Sequence, residues 1–192
     1  RLGMIGGKAC GMLLARAIIR NREPDISEVL EPHDSVYVGS DLYYTYIVDN
    51  GLWDLRIRQR TDEGYFPLAE EFAGKLTNGT FSEGMREQFV RIIEYYGQDP
   101  YIVRSSSILE DGFGNAFAGK YESVFCVNRG ELKERLDEFE RAIKTVYAST
   151  MSLSALDYRK RRGLDKRDEQ MALLIQRVSG SWYGPCYMPC AA

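Results

Sequence analysis

An α+β domain is predicted for this 192-residue sequence. Two stretches carry apolar residues at helical spacing, "SEGMREQFVRIIEYYG" and "ELKERLDEFERAIKTVYAS", and three short apolar runs have strand length, "PYIVRS", "YESVFCVN" and "QMALLIQRV". Their order, helix, strand, helix, helix, strand, strand, helix, helix, strand, fits a mixed α/β or an α+β arrangement, and we take the latter. With 44% hydrophobic and 12% aromatic residues the chain can bury a sizeable core.

Each element has a local reason. In "GGKACGMLLARAIIRN", Met12, Leu13, Ala15, Ile18 and Ile19 predict a helix from near Lys8 to Asn21. "DSVYVGS" alternates at Val36 and Val38 like a strand; Ser40 then caps a helix through "DLYYTYIVDNG" that Asn50 and Gly51 stop. Residues 54–80 have weak periodicity and are expected to be irregular with short helical pieces. Ser82 caps the next helix, which turns Met85, Phe89, Ile92, Ile93 and Tyr96 one way and ends at Gly97. "PYIVRS" and "YESVFCVN" are strands, and Leu132, Leu136, Phe139, Ile143 and Val146 are expected to point inward from the helix that follows. "MSLSALDYRKRR" resumes helically after a break, and "QMALLIQRV" is a buried strand because its apolar run is short and bounded by polar and glycine segments.

Charge and cysteine content exclude some functions. A net charge of -3 argues against whole-chain attraction to nucleic acid, although "YRKRRGLDKR" places six basic residues in ten positions. That run reads first as a solvated helix end, with a phosphate-touching role left open. No apolar run is long enough for a membrane span and no leader is evident, so a cytoplasmic, non-membrane protein is expected. Four scattered cysteines do not make a disulfide framework; Cys186 and Cys190 have C-x3-C spacing but lack further zinc ligands. Both ends of the chain look cut.

Two stretches carry candidate chemistry. "GGK" opens a helix, and its unpaired N–H groups, the dipole and Lys8 together suit an anion; the competing reading is a glycine turn in which Gly11 allows close packing. The spacing is not that of a Walker A loop. Arg104 leaves an apolar strand and precedes Ser105, Ser106 and Ser107, so a five-donor cation stands where ligands commonly sit in open sheets. It reads equally as a phosphate ligand or as the partner of Glu110 or Asp111 in a buried ion pair.

"GGKACGMLLA", "VRSSSILEDGFGNAFAGKYES" and "MALLIQRV" resemble, in order and spacing, the ATP-binding domain of phosphoenolpyruvate synthase and pyruvate phosphate dikinase. "EPHDSVYVGSDLYYTYIVDNGL" is similar more loosely, so the likeness runs through essentially the whole chain. It implies an ATP-grasp-like fold, N-terminal part only: a partial ATP-binding domain over 1–192, with a first subdomain to approximately residue 120 and a lid-like subdomain with a return strand over 121–192. It implies that ATP is bound by Lys8 and Arg104 on phosphate, Gly119 and Ser123 in the phosphate loop, and Gln176 beside the adenine hinge. The chain departs from the family at Ala116, where serine is common, and at Lys120, where an uncharged side chain is frequent. No catalytic or metal-binding residue is expected within the chain. The magnesium ligands, a swivelling phosphohistidine domain and a pyruvate-binding barrel are expected beyond it, and His33 is read as an ordinary surface residue. The implied full-length enzyme uses ATP to phosphorylate that histidine and then pyruvate, this piece alone being inactive. A relative with an antibiotic or glucan acceptor, or a nucleotide-binding module without turnover, is the alternative.

Overall fold

The computed structural model describes residues 3–23, 25–26, 35–110 and 119–190. His33, Asp111 and Ala116 lie outside the described residues, and so do the expectations attached to them. The elements are α1 (Gly7–Arg22), β1 (Ser35–Val38), α2 (Ser40–Asp49), α3 (Trp53–Gln59), α4 (Ala69–Asn78), α5 (Glu83–Tyr96), β2 (Tyr101–Ser105), β3 (Ser123–Cys126), α6 (Leu132–Ser149), α7 (Leu153–Arg161), β4 (Leu173–Arg177), β5 (Gly180–Tyr183) and β6 (Cys186–Pro189). Helices and strands mix as expected for an α+β chain.

The central sheet runs β1-β4-β2-β3, with every neighbouring pair antiparallel. β1 and β2 precede residue 120 and β3 and β4 follow it, so strands from both halves of the chain build one sheet. Cross-strand partners share a face, so Tyr101, Val103 and Ser105 align with Ile175 and Leu173 on one side. α5 and α6 cover that side. An aromatic chain fills the space between, with Phe139 edge-on to both Phe89 and Tyr101, and Phe81 edge-on to Phe89. The hairpin of β5 and β6 forms a separate two-stranded sheet from the segment for which the sequence suggested no element.

Several local expectations change. The short helical pieces expected within residues 54–80 are two defined helices, α3, which begins at Trp53, and α4, whose Ala69, Phe72 and Leu76 are buried at helical spacing. Gly39, not Ser40, is the N-cap of α2; the Ser40 hydroxyl instead accepts from the Met4 N–H at 3.2 Å. Ser82 does sit at the N-cap of α5, but its side chain makes no cap hydrogen bond. Leu132 is 40% exposed, because it is the first residue of α6 and precedes the turns that touch the sheet.

The basic run is not a uniformly solvated end. Arg159 is buried and ion-paired to Glu169 at 3.1 Å, while Lys160 and Arg161 meet Asp165 and Asp157 at 3.4 and 2.9 Å. Lys166 bonds Asp62 at 2.6 Å, so local carboxylates neutralise much of the stretch. Helical spacing puts Arg159 on the inner face of α7 with Ala155 and Leu156, and its stem packs there.

Asp168 ties the segment before β4 to the α2–α3 corner. It accepts from the Tyr44 hydroxyl and from Arg56 at 2.5 Å, with Arg60 at 3.1 Å. Burial opposes the charge, yet Tyr44, Arg56 and Arg60 hold the Asp168 carboxyl below its usual range. A depressed folded-state pKa contributes stability above the unfolded value of about 3.9 and loses it as pH falls through the folded value. Asp168→Asn is therefore expected to melt below the parent at pH 7, and the gap should close progressively below about pH 4. Thermal melts across that range check it; a gap that does not depend on pH would remove the carboxylate's part in it. No helix among the described residues is long and apolar enough to cross a membrane.

Candidate functional site

The start of α1 is built against the serine segment that follows β2. The Gly7 N–H donates to the Ser107 carbonyl at 3.3 Å, and the Ala9 N–H to the Ser106 hydroxyl at 3.2 Å. A Cβ on Gly6 would lie 1.7 Å from the Ser106 carbonyl oxygen, so only glycine permits this approach. Gly11, by contrast, faces open space, and the close contact belongs to Gly6. Two of the helix's outward donors are thus spent on serines and not left to an anion.

Lys8 completes this junction. Its ammonium donates to Glu110 and lies 3.4 Å from the Ser105 hydroxyl. Glu110 is buried and also accepts from the Ser105 hydroxyl at 2.9 Å and the Ser107 N–H at 2.8 Å. The carboxylate that the sequence offered to Arg104 therefore belongs to Lys8, a partner 102 positions away that no local pattern could reveal.

Arg104 points elsewhere. Its neighbour Ser105 lies on the covered face of β2, so alternation sends Arg104 to the opposite face. There it donates to the Gln176 side-chain carbonyl at 3.0 Å, across 72 positions of sequence. Gln176 in turn approaches the Met12 sulfur of α1 at 3.2 Å. Ser123 on β3 is the direct cross-strand partner of Arg104 and shares its face, and Phe125 further along β3 is exposed there. Among the described residues, the Gln176 contact is the single hydrogen bond of the Arg104 side chain, which leaves most of its fork available. Gly119 is exposed at φ +68°, a left-handed conformation that favours glycine, four residues before Ser123.

Of the five residues singled out by sequence, Arg104, Gln176 and Ser123 come together on one face of the sheet. Lys8 reaches from α1 to Ser105 at the end of β2, and Gly119 lies on the approach to β3. Among the described residues Lys8 and Arg104 have no common hydrogen-bond partner. Lys120, whose orientation the sequence left open, places its ammonium 5.6 Å from the centre of the Tyr158 ring. Sequence reasoning missed Met12 as a neighbour of Gln176; its i+4 spacing from Lys8 on α1 was the available signal.

A cavity of about 390 Å³ lies apart from these residues, between β1 and α5, lined by Val36, Val38, Phe89 and Ile92 with Gln88 and Arg91. None of the five candidates lines it. No group of three or more His, Cys, Asp or Glu among the described residues is placed to hold a metal ion.

Comparison with known proteins bears on this arrangement. The family described as "Pyruvate phosphate dikinase, AMP/ATP-binding domain" matches residues 2–186. The chain is 25% identical over 193 residues to a phosphoenolpyruvate synthase of Aeropyrum pernix, covering 94% of this chain and 22% of that protein. It is 30% identical over 124 residues to a rifampicin phosphotransferase from a Streptomyces species, covering 65% of this chain and 12% of that protein. A third similar protein is the uncharacterized phosphotransferase YvkC of Bacillus subtilis, 30% identical over 117 residues, covering 59% of this chain and 13% of the other. The chain thus spans less than a quarter of the length of these relatives.

Proposed function

Because this chain belongs to the family of pyruvate phosphate dikinase AMP/ATP-binding domains, we propose that it is part of the ATP site of a cytoplasmic phosphoenolpyruvate synthase-like dikinase. The full-length protein uses ATP to phosphorylate a histidine on a swivelling domain, and that group passes to pyruvate in a barrel domain. The observation that supports the reading best is the meeting of Arg104, Gln176 and Ser123 on one face of the sheet.

Phosphoryl transfer depends on positioning and charge neutralisation, which these residue types supply. Arg104 offers a planar fork to phosphate oxygens, and Ser123 opposite it offers a hydroxyl. Gln176 presents an amide able to pair with the adenine edge, and Gly119 lets the backbone approach the phosphates. Lys8 adds a second cation when its ammonium turns from Glu110 toward phosphate. In an ATP-grasp arrangement this sheet face forms one wall of the nucleotide cleft. Magnesium, where bound, neutralises phosphate charge; no residue of this chain is assigned to it.

The similarity to a rifampicin phosphotransferase favours a second reading, in which the same ATP half serves an antibiotic acceptor. One experiment separates the two. The full-length protein is titrated with ATP and magnesium, then incubated with ATP and either pyruvate or rifampicin. ATP binding with phosphoenolpyruvate formation is expected. Rifampicin phosphorylation without phosphoenolpyruvate would move the acceptor to the second reading, and absence of ATP binding would overturn both.

A further inference from the structure

Glu169 is buried just before β4, and its two oxygens reach opposite sides of the candidate site. One accepts from the Ser107 hydroxyl, two residues beyond the end of β2. The other accepts from the Tyr121 hydroxyl, two residues before the start of β3, and from Arg159 at 3.1 Å. Arg159 is anchored in turn on the Thr150 carbonyl at 2.6 Å. Ser107, Tyr121, Arg159 and Glu169 are all buried. Arg104 and Ser123, the proposed phosphate ligands, are cross-strand partners at this same end of the β2–β3 pair. A single carboxylate therefore fastens the chain just past Arg104 to the chain just ahead of Ser123.

We infer that Glu169 is a positioning residue for nucleotide binding, holding the open ends of β2 and β3 together through Ser107 and Tyr121 so that Arg104 and Ser123 stay in one phosphate-gripping geometry. This rests on the proposed ATP site. The physical reason is preorganisation: a ligand that must first bring two strand ends into register binds more weakly than one that finds them fixed. β3 is an edge strand of four residues paired only with β2, and besides Tyr121 its start is tied by the Glu122 N–H, which donates to the Ser149 hydroxyl at 3.1 Å.

The test uses the full-length protein with ATP as probe, reading affinity by calorimetry and stability by thermal melting. Tyr121→Phe removes one hydroxyl and keeps the Arg159–Glu169 ion pair, so it should fold; it is expected to weaken ATP binding about fivefold to tenfold. Glu169→Gln should weaken it at least as much, and the double variant should be no weaker than Glu169→Gln alone, since both act through one contact. Asp168→Asn, which loosens the neighbouring residue's ties to α2 and α3 and touches neither strand end, should lower the melting temperature and leave ATP affinity unchanged. If Tyr121→Phe and Glu169→Gln bind ATP as the parent does, whatever their melting temperatures, the positioning role is overturned and the network only fastens the core. Affinity losses in Asp168→Asn equal to those in Tyr121→Phe would also overturn it, by tracing them to general loosening. A parent that fails to bind ATP overturns the nucleotide reading itself, and this inference with it.

Discussion

Replacing Arg104 with alanine in the full-length protein is expected to weaken ATP binding about tenfold or more, and Lys120→Ala to weaken it less. Arg104 leaves a strand hydrogen-bonded on both sides, so its backbone is already fixed and its fork loses little freedom on gripping phosphate. A charge-assisted hydrogen bond contributes about 1.5–3 kcal/mol, and each 1.4 kcal/mol corresponds to about a factor of ten in affinity. Lys120 already rests near the Tyr158 ring and would have to leave it. Calorimetric titration of both variants with ATP and magnesium, after melting curves confirm that each is folded, measures the difference. Equal affinity in the Arg104 variant and the parent would reduce Arg104 to a structural partner of Gln176, because Glu110 is committed to Lys8.

A large stability loss is expected from Glu110→Ala. Glu110 is 2% exposed and takes bonds from Lys8, the Ser105 hydroxyl and the Ser107 N–H. Removing one partner of a fully buried ion pair costs about 3–5 kcal/mol; Lys8 is 24% exposed, so water takes up part of its charge and the loss falls to about 3 kcal/mol or less. For a domain of this size that corresponds to a fall of roughly 6–12 °C in melting temperature at most. Glu110→Gln should lose less, because an amide oxygen can still accept from the Ser107 N–H. A Glu110→Ala protein melting within a degree or two of the parent would show that Lys8 and Glu110 do not hold α1 on the serine segment.

Lys8 thereby carries two readings that one variant tells apart. In the structure it closes a junction between α1 and β2, and in the proposed function it turns to phosphate. If its proposed phosphate role holds, Glu110→Ala lowers stability and yet does not lower ATP affinity through Lys8, because the ammonium loses its competitor.

Much of the architecture was legible in the sequence because it depends on local spacing. Met85, Phe89 and Ile93 recur at helical intervals and are buried on α5 as expected. The alternation at Tyr101 and Val103, and the short apolar run Leu173–Ile175, became the central strands β2 and β4. The resemblance carried by "GGKACGMLLA" and "VRSSSILEDGFGNAFAGKYES" extended to the family match over residues 2–186. Residues 54–80, whose weak periodicity predicted irregular structure with short helical pieces, hold α3 and α4, whose bounds the sequence did not mark.

What the sequence determined by itself was the kind of element at most positions and the residue types available for an anion, since periodicity, caps and side-chain chemistry act within a few residues. The tertiary structure alone decided pairing. It gave Glu110 to Lys8 rather than to Arg104, buried Arg159 from within a run that looked solvated, and set Arg104 beside Gln176 on the opposite face from Ser105. These contacts join groups from 10 to 102 positions apart. Their partners are chosen by which strands lie side by side and which face each side chain takes, and burial then makes an unpaired charge too costly to leave without one.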